Sequence, residues 1–236
     1  MGLFDFFRSE DDKIRRQQRR VTDRNLQPED REAAARWLSD NGSGKALLAL
    51  LSRFDMNLEN QLKDSSEKEF VYGLLLQKGD ALEAPLRSHL KRCRQIALPL
   101  RLLEELRGEQ ATIEQVFEML RIEREKDDFK PAKKTHLLVW LAERKHPDAI
   151  EQVAPFLQDF DEGVRYAAAE VLVAQNSDAA RPHLLAALAN PNEESNRLRV
   201  RIAEVFAQRR WPVDDADLEG RLVGGYTVRD GRIVSP

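Results

Sequence analysis

Apolar residues recur along most of the chain at helical spacings of three and four, in short blocks closed by Gly, Asn, Asp or Pro. From Pro28, acceptable as a first helical residue, the block Ala33-Ala34-Trp37-Leu38 ends at Asp40-Asn41-Gly42, and Lys45 to Leu51 follows, which predicts a helical hairpin. Ser66 with Glu69 reads as a capping box that opens a helix through Phe70, Val71 and Leu74 to Leu76, stopping at Gly79. Asp80 with Glu83 opens the next, which carries Leu82, Leu86 and Leu90. Its partner runs from Ile96 to Leu106 before Gly108, with Pro99 marking either a bend or the first turn. Further helices are predicted over 112–120, 135–141, 164–173, 178–188 and 197–208, with an exposed loop over 123–130 and Asp148 as a capping residue. Roughly eleven or twelve helices fit. Beyond Trp211-Pro212 the pattern alternates, and Tyr226 to Arg229 and Arg232 to Val234 flank Asp230-Gly231, a two-residue hairpin signal.

The pattern repeats internally. Ile113-Glu114-Gln115-Val116 returns as Ile150-Glu151-Gln152-Val153, and Val164-Arg165-(x)4-Ala169-Glu170-Val171-Leu172 echoes in Leu198-Arg199-(x)4-Ala203-Glu204-Val205-Phe206. Offsets of 37 and 34 residues suit a pair of helices as the repeated unit, and such periods mark solenoids. The fold class expected is therefore all-α, an α-solenoid of five to six helical hairpins with a short C-terminal β-hairpin or extended cap. Three segments follow: an N-terminal arm over 1–24, the repeat array over 25–211, and a capping segment over 212–236. The cap covers the last repeat's open apolar face, or else offers a strand to a partner sheet.

Composition narrows the function. Of 236 residues 42% are hydrophobic, 33% charged and 7% aromatic, which suits stacked amphipathic helices better than a thick-cored enzyme. A net charge of −3 gives no global basic field, so nucleic acid is disfavoured as a partner. No run of eighteen apolar residues is present, and the acidic start does not fit an export signal, so a reducing cytoplasm is the expected compartment. The lone Cys93 reads as a buried structural thiol. Residues 1–24 hold seven basic and five acidic side chains, about +2.

The unit Ala149 to Val173 resembles a HEAT repeat of the bacterial type first grouped with phycocyanobilin lyase subunits. Asp159, Val164, Arg165, Tyr166-Ala167-Ala168-Ala169 and Leu172 carry the likeness, which is fullest over 131–210. The next unit departs from it with the longer turn Pro191 to Asn196 and with Arg201-Ile202 where alanines are usual. Glu193 precedes Arg199 by the six residues that separate Asp159 from Arg165, and Asp128 stands likewise before Lys134, so an acid/base ladder is expected. Each basic residue should face the turn before its own helix, satisfying turn backbone groups and aligning successive units. The resemblance implies an α-solenoid whose second helices line a concave surface that binds protein.

No chemistry converges in the sequence. His89, His136, His146 and His183 are scattered without His-Glu pairs, and there is no phosphate-cradling glycine loop or nucleophile elbow. No catalytic residue, metal or cofactor is assigned, and a non-enzymatic adaptor in a bacterial cytoplasm is expected. Its partner-binding candidates are Arg165, Glu170, Arg199, Arg201 and Glu204. Two basic groups, Arg87 to Arg94 and Arg197 to Arg210, leave a DNA glycosylase as an alternative on the same scaffold, with a bilin lyase beside it. The start Leu3-Phe4-Asp5-Phe6-Phe7 resembles the membrane-targeting start of a bacterial division regulator. Leu3, Phe4, Phe6 and Phe7 are its docking candidates: onto the first repeat, onto a partner, or weakly onto an anionic inner-membrane surface with Lys13 to Arg20 as electrostatic support.

Overall fold

The structure, a computed structural model, describes residues 9–126, 131–213 and 216–236. Among these are eleven α-helices and one small antiparallel sheet. In chain order the helices are α1 (Glu10–Val21), α2 (Pro28–Asn41), α3 (Gly44–Leu51), α4 (Gln61–Leu76), α5 (Asp80–Leu90), α6 (Ala97–Glu125), α7 (Ala132–Ala142), α8 (Ala149–Val153), α9 (Glu162–Ala174), α10 (Arg181–Ala189) and α11 (Asn196–Arg209). Gly108, at φ 81° and ψ 171°, splits α6 in two. With that split the described residues hold twelve α-helical segments, consistent in length with the helical hairpins of an α-solenoid. The chain divides into two compact units, Met1–Ile122 and Glu123–Pro236.

In the first unit, α1 packs against α2 and α3, burying Ile14 and Val21. Ser9 caps it, and Asp11 and Arg20 pair with Lys45 and Asp30. Residues 9–21 are thus not detached from the array as the expected arm over 1–24 was, because their two apolar side chains find a core one turn-pair away. Leu3, Phe4, Phe6 and Phe7 lie outside the described residues. Gly42 ends α2 in the left-handed conformation, and Ser43 caps α3. The capping box expected at Ser66 is instead mid-helix: Asn60 caps α4 through Lys63 N–H, so the helix starts six residues earlier. Pro99 falls in the first turn of α6. Leu38, Leu47, Leu50, Leu75, Leu82, Leu86, Leu90 and Leu100 form the core of the unit, and Cys93 is buried beside it.

In the second unit, α7, α9 and α11 are the second helices of successive pairs. α9 packs on α7, α8 and the 3-10 turn Ala154–Gln158; α10 packs on that turn and on α11. Asp161 and Ser195 cap α9 and α11. Asp148 holds the N-cap position of α8, but its side chain makes no capping hydrogen bond; its N–H donates to His146 Nδ1. The loop expected over 123–130 begins later, since α6 runs to Glu125; residues 127–130 lie outside the described residues. The alternating C-terminus forms the predicted hairpin, Thr227–Arg229 (β1) against Arg232–Val234 (β2), turned by Asp230 and Gly231 at positive φ. β2 packs on α11 with Ile233 buried, and Trp211 sits edge-on to Phe206 at 5.2 Å while its Nε1 donates to Asp178.

Candidate protein-interaction surface

The acid/base ladder exists, with a different register from the one the spacing suggests. Arg165, in the first turn of α9, donates to the carbonyls of Asp159 and Phe160 in its own preceding turn, as expected. Its carboxylate partner is not Asp159 but Glu193, in the turn before α11: Nε to Oε2 and Nη2 to Oε1 are both 2.8 Å. Asp159 is taken by Lys134 of α7 at 2.5 Å. Asp128 lies outside the described residues. Arg165 therefore braces its own turn and reaches forward to the next repeat's acid, and Lys134 makes the same forward reach. A guanidinium with five fixed donors can do both at once, which explains arginine at this position.

Arg199 holds the same place in α11, and its described partners are all carbonyls. Its Nε and Nη2 donate to Glu193 O, Nη2 to Asn190 O, and Nη1 to Leu188 O and Arg221 O. It is fully lined by carbonyls and buried. The first unit repeats the device with Arg31 in the first turn of α2, which donates to Asp23 O and Leu26 O and forms a two-pronged pair with Glu67 of α4.

Electrostatics follow from burial against pairing. Burial pushes the Glu193 carboxyl up, but the Arg165 hydrogen bonds, Ser195 N–H and the charges of Arg165 and Arg199 outweigh it, leaving it below the usual range. Glu67 is held down in the same way, by Arg31 and Arg53 against desolvation. Arg165 is raised, first by its Glu193 hydrogen bond.

The ladder also sets a common frame for the second helices. Five residues beyond the bracing cation stand Val139 on α7, Glu170 on α9 and Glu204 on α11, one equivalent position in three consecutive repeats. Arg201 ties two of these together, with Nε 2.6 Å from Glu170 and Nη1 2.9 Å from Glu204. Beside them Arg197 stacks over the Tyr166 ring at 3.7 Å, and Arg144 over Trp140 at 3.7 Å. Val139 itself is 54% exposed, a large apolar side chain in an otherwise polar row.

Of the candidates named from sequence, the structure thus brings Glu170, Arg201 and Glu204 together at the surface, while Arg165 and Arg199 turn into the repeat junctions. Val139 was missed because one apolar residue in an apolar helix carries no local sign of exposure. Only counting from the bracing cation finds it. The two basic groups are largely engaged within the fold: Arg87 with Glu83, Lys91 with Glu118, and Arg209 with Val173 O.

An open groove of about 800 Å³ lies between α8 and α10, lined by His146, Pro147, Ile150, Pro155 and His183. Among the described residues no group of three His, Cys, Asp or Glu side chains is placed to hold a metal ion, and no helix is long and apolar enough to cross a membrane.

Comparison with known proteins gives one relationship: residues 117–203 match the family model for HEAT repeats. No curated protein and no solved structure matches the chain.

Proposed function

We propose that the protein is a non-enzymatic interaction scaffold whose partner lies across the second helices of its C-terminal repeats, since residues 117–203 match HEAT repeats, a type that commonly mediates protein–protein contact. The observation that carries this reading is the row Val139, Glu170 and Glu204 with Arg201 bridging the two acids. Ion pairs and stacked arginines hold these side chains in place before any partner arrives, so little ordering cost is added on association. Val139 supplies an exposed apolar side chain of the kind that interface anchors use. Arg165 and Arg199 support the surface from beneath.

The reading is tested by proximity labelling in the native cell with the full chain and two variants, Val139→Asp and Arg201→Glu. Loss of one shared partner from both, with helical content and melting temperature kept, is the expected result. Unchanged partners in both variants would reject the surface. A covalent bilin adduct by absorbance, or release of bases from alkylated DNA, would make the protein an enzyme instead.

A further inference from the structure

A groove of about 540 Å³ runs between the second helices α2 and α4 of the first unit. Its apolar wall is Ala35, Leu62, Phe70 and Val71, and Leu62 is 85% exposed, the largest exposure among the large apolar side chains described. Arg31, Arg53, Lys63, Glu32 and Glu67 supply its charges, three positive and two negative, and Glu32 is drawn off by Arg36. Arg53 is 1% exposed; its terminal nitrogens reach Met56 O, Asp64 and Glu67, but its buried Nε has no hydrogen-bond partner. A buried donor left in that state is destabilising, so the site is short of an acceptor as well as of apolar cover over Leu62.

The chain contains a segment of that chemistry. Leu3-Phe4-Asp5-Phe6-Phe7 has four bulky apolar side chains around one carboxylate, and it is tethered at Ser9, where α1 begins. The tether reaches. Glu10 is hydrogen-bonded to Asn41 at the far end of α2, and Ala35 is six residues back along that helix, about 9 Å. Leu3 lies six residues ahead of Ser9, a span of up to about 20 Å when extended. A short tether also holds the segment at an effective concentration of about millimolar order, enough for a modest surface to capture it.

We propose that the α2/α4 groove is the docking site for the chain's own residues 3–7, with the Asp5 carboxylate supplying negative charge to the Arg31/Arg53 floor and the phenylalanines covering Leu62 and Phe70. This self-docking occupies the second-helix side of the first unit, so a ligand that wins the segment would uncover the groove.

The test places the photo-crosslinking analogue benzoylphenylalanine at Phe6 of the full chain, dilute and without lipid, and maps the adducts by mass spectrometry. Intramolecular adducts on residues 62–71 are expected, reduced about tenfold by Leu62→Asp, the factor that loss of one buried leucine implies. Leu62 is a surface residue, and circular dichroism confirms that the variant stays folded. Adducts elsewhere in the chain, adducts between two copies, or a yield indifferent to Leu62→Asp would each overturn the proposal. So would adducts absent from the groove in a chain that floats with anionic vesicles, which would assign the segment to a membrane surface.

Discussion

Arg165 and Glu193 belong to different repeats, and their side chains, only 14% and 2% exposed, are joined by two parallel hydrogen bonds of 2.8 Å. The same guanidinium closes the turn ahead of its own helix, so one residue fixes both the start of α9 and the distance to the next hairpin. Exposed ion pairs contribute little, but this one is removed from water on both sides, and losing one partner strands the other.

Arg165→Met should therefore destabilise the second unit by about 3–5 kcal/mol, because Glu193 is left buried and uncompensated. The double replacement Arg165→Met with Glu193→Met should cost less than the two single changes added together. Chemical unfolding of the four proteins of this cycle measures both, and additivity would show that the pair does not couple.

Acid should unfold the protein through the same junctions. Glu193, Glu67 and Asp64 have carboxyls held below their ordinary values in the fold. For such groups the unfolded chain binds protons first, so the stability they contribute is fully present above their unfolded pKa, about 4, and is lost as pH falls through the lower folded values. Melting temperature should be level from neutral pH to about pH 5 and fall steeply below about pH 4. The slope should be shallower in Glu193→Gln. A melting temperature that rises on acidification would contradict the assignment.

Gly108 divides α6 with a backbone conformation, φ 81° and ψ 171°, that side chains scarcely adopt. No atom would crowd an added Cβ there, so the penalty of Gly108→Ala is conformational alone, about 1–3 kcal/mol. Straightening of the helix to relieve it would show as a gain in helical circular dichroism.

Val139→Asp should leave stability within about 0.5 kcal/mol, since the side chain already faces water, whereas Phe206→Ala in the buried core should cost about 3–5 kcal/mol. Thermal melts of the two variants separate surface from core. A large loss in Val139→Asp would mean that Val139 packs within the fold rather than at an interface.

The hairpin at the C-terminus was legible because Asp230-Gly231 is a strictly local signal: both residues must take positive φ, and few pairs do so cheaply. Helix ends were read less well where two local signals compete. Ser66 and Glu69 satisfy a capping pattern, yet Asn60 caps α4, since the residues between them place Asp64 and Lys68 in buried ion pairs that only a helix begun at 61 can form. The ladder was half legible. Spacing within one repeat located its cations, but could not show that Lys134 and Arg165 take the acid one repeat on.

Periodicity and internal echo by themselves determined most helices beyond Pro28, the hairpin as the repeated unit, and the closing β-turn, because each depends on contacts within a few residues of chain. Tertiary structure decided which acid each arginine meets, that Arg165 and Arg199 point into junctions while Val139 faces outward, and that α2 and α4 leave a groove with an unmet donor. Those outcomes depend on how far one helix pair is displaced from the next, a distance set by the summed packing of buried leucines and alanines and written in no single stretch of sequence.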